Sequence, residues 1–462
     1  MALLLLWGSV ACTPSRREVV ILSTNDMHAH IERFPQLATA VEYCRDTVAT
    51  ILVDAGDRWT GNAYVDLVED RLPILMLMNR LGYDLAILGN HEFDVGQESL
   101  ERAVRYCDFP IICANMESLP EAKLKPFEAS RILSCGGVKV GFVGVVTNYG
   151  PNGHPDGHDE IFEGLLFSDA VDRAAELAPT LAGKCDLSVA LTHIGLDRDH
   201  ELAARQAGYH LIIGGHSHDV ANEVVEGAII AQTGKNLARV GVTHLLFEGD
   251  RLLSLSHKIV VLEGYEPHPE YQALVEECYA NEELHRPVGT LPEKADKCGL
   301  ANLFAEAVRV GAKADLGLYH LGGVRLDSLA AGEVPLCAIY DLDPFGSLIS
   351  EVEMTPEELS RMLIAKFNDT VKPVESHRID LVATFPYTVI TDASGEAVDV
   401  RFPTLRKGKS YRVAMGDYIY KNYPGLEGVE GVTTRLKVTD QLIELLSSGE
   451  YTPRNNCLQE IK

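Results

Sequence analysis

ILGNHEFD, residues 87–94, ends an apolar run in a tight turn and then sets an amide, an imidazole and two carboxylates side by side. Leu85–Leu88 is short and apolar, as a buried strand would be. Gly89 and Asn90 suit a turn, and His91, Glu92 and Asp94 crowd its exit. Alone, the stretch is compatible with turn chemistry and a surface histidine. Its meaning depends on whether other strands end the same way.

They do. The run Val19–Leu22 leads into STNDMHAH, with Asp26 and His28, and Ile51–Val53 into DAGDRW, with Asp57. Leu187–Leu191 leads into THIG, with His193, and Leu211–Ile213 into GGHSHD, with His216 and His218. Five strands therefore end in Asp, Asn or His, usually beside a glycine. Further apolar runs lie at Ile111–Cys113 and Val138–Val146, and helical spacing at Leu72–Leu81 and Ala170–Leu181. Near-continuous apolar strands imply burial on both faces, as in a sheet layered with helices. In such α/β folds sites assemble at the carboxyl ends of strands. Imidazoles, carboxylates and one amide suit a divalent zinc, manganese, iron or cobalt ion and do not suit a thiolate site.

The composition is that of a soluble globular protein, 46% apolar and 23% charged, and 462 residues predict more than one domain. A net charge of −26 excludes a nucleic acid polymer as partner, since phosphate backbones select basic surfaces. An anionic small-molecule substrate would need local positive charge, which bound metal ions supply compactly. The opening MALLLLWGSVACTPSRRE resembles a bacterial lipoprotein leader, although it lacks a Lys or Arg before the apolar core. On that reading residues 1–17 are signal and tether, and Cys12 is acylated. The membrane is then met only through the lipid, and the protein is periplasmic; without a leader it is cytoplasmic. The apolar run is too short to span a bilayer. The ten cysteines are scattered, with no C-x-x-C, and Cys113 and Cys185 in apolar runs read as buried thiols.

D-x-H, G-D, G-N-H-E, H and G-H-x-H, in this order, resemble the calcineurin-like metallophosphoesterases. GNHEFD, GHSH and the second domain resemble the 5′-nucleotidase family, which includes UDP-sugar hydrolases and cyclic-nucleotide phosphodiesterases. The resemblance implies an α/β fold: a layered αββα metallophosphoesterase domain over 18–262, then a smaller α+β substrate-binding domain over 287–462. A helical linker over 263–286 is expected between them to act as a hinge. By the same resemblance Asp26, His28, Asp57 and His218 hold one metal ion, and Asp57, Asn90, His193 and His216 the other, with Asp57 bridging. Two ions roughly 3.5–4 Å apart can share a hydroxide and grip two phosphoryl oxygens through an in-line displacement. His91 resembles the family's catalytic histidine, with Asp94 orienting it; Asn90 and His91 also face the substrate. Glu92 is expected to support the turn, and the resemblance gives His30 no role.

In the second domain a helix is expected over Leu300–Gly311, a strand over Asp315–Tyr319, and another helix after Thr355-Pro356-Glu357-Glu358. HLGGVR resembles a family turn that grips anions, which makes Arg325 a candidate contact, with His320 where Asn is usual. DLDPFG resembles the loop that supplies a base-stacking ring, here Phe345. Two departures stand out. Gly299 occupies a place where nucleotidases often have arginine, and the loop for the second ring is replaced by GDYIYKNYPGLEG, leaving Tyr423 or Tyr420 as substitutes. The resemblance implies phosphate release from nucleoside 5′-monophosphates. Cyclic nucleotides, UDP-sugars or another organophosphate are the alternatives within enzymes, and a non-catalytic nucleotide-binding lipoprotein the alternative outside them.

Overall fold

The computed structural model describes residues 16–370, 376–449 and 451–462, so Cys12 lies outside the described residues. The apolar runs form two six-stranded sheets. In the first, Arg16–Thr24, Ala49–Asp54, Leu85–Ile87 and Ile111–Ile112 are parallel neighbours. Arg239–Glu248 and Arg251–Val261 extend it antiparallel from Arg16–Thr24, turning at the expected Gly249. In the second, Ala228–Thr233, Leu211–Ile213, Leu187–His193 and Val138–Val146 are parallel, flanked by antiparallel Val220–Val225 and Ser130–Cys135.

Strand periodicity decides what lies between and outside the sheets. Val19, Ile21, Ile51, Val53, Leu85 and Ile87 point one way and meet Val140, Phe142, Val189, Leu191 and Ile213 in a shared core. Their neighbours Val20, Leu22, Leu52 and Ala86 point the other way, onto helices that include Phe34–Thr47 and Leu72–Leu81. Val143, Val145, Ala190 and Ile212 likewise meet helices Ala170–Ala182 and Leu196–Ala204. The result is helix, sheet, sheet, helix.

The second domain is built on a five-stranded mixed sheet, in order Leu381–Ala383, Leu316–His320, Tyr411–Gly416, Leu348–Met354 and Gly431–Lys437. Helix Lys297–Gly311 packs on one face and helix Pro356–Phe367, started by a Thr355/Glu358 capping box, on the other. The segment expected as a connector is no loose linker. Its helix Pro269–Cys278 buries Tyr271 and Val275 in the first domain's core, while Leu284 joins the core of the second. At the seam the Ala63 amide donates to Asp341 (2.7 Å) and Asn62 Nδ2 to the Tyr279 hydroxyl (2.7 Å). Among the described residues no helix is long and apolar enough to cross a membrane.

Candidate metal centre

The loops after the strand ends adopt backbone conformations that most residues avoid. Asp26, His28, Asp57, His216 and His218 all have positive φ, between 47° and 83°. A non-glycine residue there is costly and persists only where the surroundings over-determine it. Glycine makes the close approach possible: a Cβ on Gly89 would stand 2.1 Å from Asp57 Oδ1. Glu92, fully buried, ties two of these loops together, accepting from the Asp57 amide (3.0 Å), the Arg58 amide (2.8 Å) and the Gly89 amide (2.5 Å). The expected turn support is thus a clamp between two strand ends.

These loops bring together side chains that could hold metal ions: Asp26 with His28 and His218, and Asp57 with His193 and His216. His28 Nδ1 faces the Thr60 carbonyl (3.2 Å), which assigns the proton to Nδ1 and leaves Nε2 bare, 2.8 Å from His218 Nε2. His193 Nδ1 donates to the Ala55 carbonyl (2.8 Å), so its Nε2 is bare as well. That nitrogen lies 3.1 Å from Asp57 Oδ2 but off the line a hydrogen bond needs, so it has no hydrogen-bond partner. His216 Nδ1 sits 2.8 Å from Asn90 Oδ1. Bare imidazole nitrogens converging on buried carboxylates fit divalent cations.

The electrostatics agree. Burial, then Arg325, drives His28 and His218 well below the usual histidine range, toward the neutral form a metal ligand needs. Burial pushes Asp26 up to about 7. Burial acts on Asp57 in the same sense, but His193 and His91 hold it well below the usual carboxylate range.

His91 stands beside this cluster, its Nε2 4.0 Å from Asp57 Oδ2. Its Nδ1 donates to Asp94 Oδ2 (2.7 Å), which also accepts from the Thr60 hydroxyl (2.7 Å), itself held by Arg71 Nη1 (2.6 Å). Burial disfavours a charged His91, yet Asp94 and Asp57 raise its pKa above the usual value.

The second domain reaches the cluster through Arg325, whose Nη2 lies 3.3 Å from His28 Nδ1. Phe345, partly exposed, stacks on His91 with centroids 5.9 Å apart. Tyr423 is placed differently. It is buried, donates to Asp380 and packs under Lys366, so its ring is core in this arrangement. Tyr420 likewise packs against that core. Gly299 has a local reason: a Cβ there would stand 2.3 Å from Asn455 Oδ1, in a C-terminal tail tied down by the Cys298–Cys457 disulfide. A cavity of about 580 Å³ opens between the domains from His28 and His218 to Arg325 and Arg378.

Residues 19–220 match the calcineurin-like phosphoesterases and residues 281–430 the 5′-nucleotidase C-terminal domain, together most of the chain. The chain belongs to the 5′-nucleotidase family of calcineurin-like phosphoesterases. It is 28% identical over 413 residues to the trifunctional nucleotide phosphoesterase protein YfkN of Bacillus subtilis, covering 75% of this chain and 27% of that protein. It is 24% identical over 492 residues to a 5′-nucleotidase of Vibrio cholerae, covering 90% and 86%. The chain therefore spans only about a quarter of the length of the Bacillus relative. The fold is shared with a Thermus thermophilus 5′-nucleotidase precursor (TM-score 0.83, 21% identity, 96% of this chain and 99% of that one). The family uses divalent metals.

Several residues of the site were not singled out in the sequence. Thr60 and Arg71 carry no motif, because a hydroxyl and a guanidinium 11 positions apart meet only through the fold. Asn25, which donates to Asp26 (2.7 Å), could have been suspected from its adjacency alone.

Proposed function

We propose that the protein is a two-metal phosphoester hydrolase, with nucleoside 5′-monophosphates as the leading substrates. The observation that carries this reading is the convergence of bare histidine nitrogens on Asp26 and Asp57 beside a histidine paired with Asp94. Asp26, His28, Asp57 and His218 would hold one ion, and Asp57, Asn90, His193 and His216 the other, with Asp57 shared. Such ions bring water's pKa toward neutrality and neutralise phosphoryl oxygens.

The chain's own residues do the rest. Asp94 fixes the His91 ring through Nδ1, so Nε2 faces the substrate and, in the imidazolium, carries the proton the departing alkoxide takes. Thr60 and Arg71 hold Asp94 in place. Arg325 is poised at the His28 edge to bind the ester phosphate. Phe345, next to His91, offers a ring for the leaving group's base. The Cys298–Cys457 disulfide favours an oxidising compartment, in keeping with the leader and Cys12 anchor read from the sequence.

The test is phosphate release from AMP, UMP, 2′,3′-cyclic AMP, UDP-glucose and p-nitrophenyl phosphate after EDTA treatment, with Mn²⁺ or Zn²⁺ restored. The diester and sugar reactions need an added monoesterase. Metal-dependent release from AMP or UMP is the expected result. Release only from p-nitrophenyl phosphate would move the substrate elsewhere, and nucleotide binding without turnover would make the protein a binding lipoprotein.

A further inference from the structure

The cavity between the domains is charged in a way the metal centre does not require. Lys235 from the first domain and Lys297, Arg325 and Arg378 from the second line it, against two carboxylates, Asp327 and Asp380. Asp380 is already engaged, by the Tyr423 hydroxyl and by Lys366 at 3.9 Å. Asp327 is shared between Lys235 (3.8 Å) and Lys297 (3.6 Å) and is itself largely exposed. Arg378 has no ion-pair partner among the described residues. In a chain of net charge −26, such a local excess of cations needs a reason.

The ester phosphate does not supply it. Arg325 is the cation beside His28, so the proposed ions and Arg325 already face the phosphoryl group being cut. Lys235, Lys297 and Arg378 stand on other parts of the wall. No Phe, Tyr or Trp lines the cavity among the described residues, and Phe345 stacks on His91 instead. Its volume, about 580 Å³, is that of a small-molecule site, typically roughly 300–1,000 Å³.

We infer that the preferred substrates carry a second anionic group, a phosphoryl or a carboxylate, remote from the ester that is hydrolysed and held between Lys235 and Arg378. This rests on the hydrolase reading above and narrows it, because nucleoside monophosphates with a neutral ribose leave those cations unused. Lys297 is the supporting member: its ammonium donates to the Val324 carbonyl and so holds the Arg325 loop. The Lys235–Asp327 contact crosses the two domains, so an anion that draws Lys235 away competes with Asp327 for it.

The Mn²⁺-loaded full chain decides the matter with two matched pairs: 3-phosphoglycerate against glycerol 3-phosphate, and adenosine 3′,5′-bisphosphate against AMP. We expect at least a tenfold preference in kcat/KM for the doubly anionic member of one pair, falling toward unity in Lys235→Ala/Arg378→Ala. The pair that responds distinguishes carboxylate from phosphoryl. Equal use of both members in both pairs, or a preference that survives the double substitution, overturns the inference. Failure of the hydrolase reading looks different: no metal-dependent release from any compound, p-nitrophenyl phosphate included. Calorimetric binding of the same pairs to the metal-loaded protein then still decides, by a tenfold difference in Kd or none.

Discussion

The two walls of the interdomain cavity are made in opposite ways. On the first-domain wall, donors come from five strand ends, are buried, and are held by backbone that would be strained elsewhere. Glu92 locks two of those ends to each other. On the second-domain wall, Arg325, Arg378 and Phe345 are only half-buried or exposed and rise from loops. A rigid wall suits groups that must meet reacting atoms to within a fraction of an ångström. A looser wall suits selectivity, which can change by loop substitution while the chemistry stays.

That contrast can be broken first at His91. His91→Ala is expected to lower kcat by roughly 10²–10⁴-fold with little change in KM, the range for a lost general acid. Steady-state kinetics on AMP and p-nitrophenyl phosphate check it, and a change confined to KM would move His91 from proton transfer to binding. Next comes the clamp. Glu92→Ala leaves the buried Arg58 guanidinium and the Gly89 and Asp57 amides short of a partner, and should cost about 3–5 kcal/mol of stability by denaturant unfolding. A second-domain substitution as expensive as this would erase the distinction between rigid and loose walls.

Phe345→Ala sharpens the comparison from the other side. If the ring stacks a base, AMP hydrolysis should lose about 1–3 kcal/mol in kcat/KM relative to glycerol 3-phosphate, with stability nearly unchanged. A smaller effect is expected at the seam. Burial raises the Asp341 carboxyl to about 7, against 3.8 for the free side chain. Between those values the folded chain holds a proton that the unfolded chain has released. Stability should therefore fall as pH rises from about 4 to about 7 and then level off. Asp341→Asn should flatten that part of the profile, measured as the urea midpoint at pH 5 and pH 8.

How legible each wall was in the sequence reflects the same difference. Strand ends advertise themselves, because an apolar run, a glycine and a ligating side chain are adjacent in the chain. Asp26, His28, Asp57, Asn90, His193, His216 and His218 could all be picked out, and the fold brings them to one place. The two-layered sheet could be expected from strands apolar on both faces. The role of the linker could not, since spacing along Pro269–Cys278 does not say which core Tyr271 and Val275 enter. Nor could the fate of Tyr423, whose aromatic ring reads the same in a core as in a clamp. Thr60, Arg71, Lys235 and Arg378 were illegible for a plainer reason. Each matters only through a neighbour tens to hundreds of residues away, such as Asp94 for Thr60 or Asp327 for Lys235.

The measurement that bears most directly on the two-metal site is a count of bound Mn²⁺ per chain, with electron paramagnetic resonance on the same sample. Asp57 as a shared ligand predicts two ions per chain with the spectrum of a coupled pair, and loss of both the coupling and hydrolysis in Asp57→Ala. One ion per chain, or two uncoupled ions that survive that substitution, would contradict it.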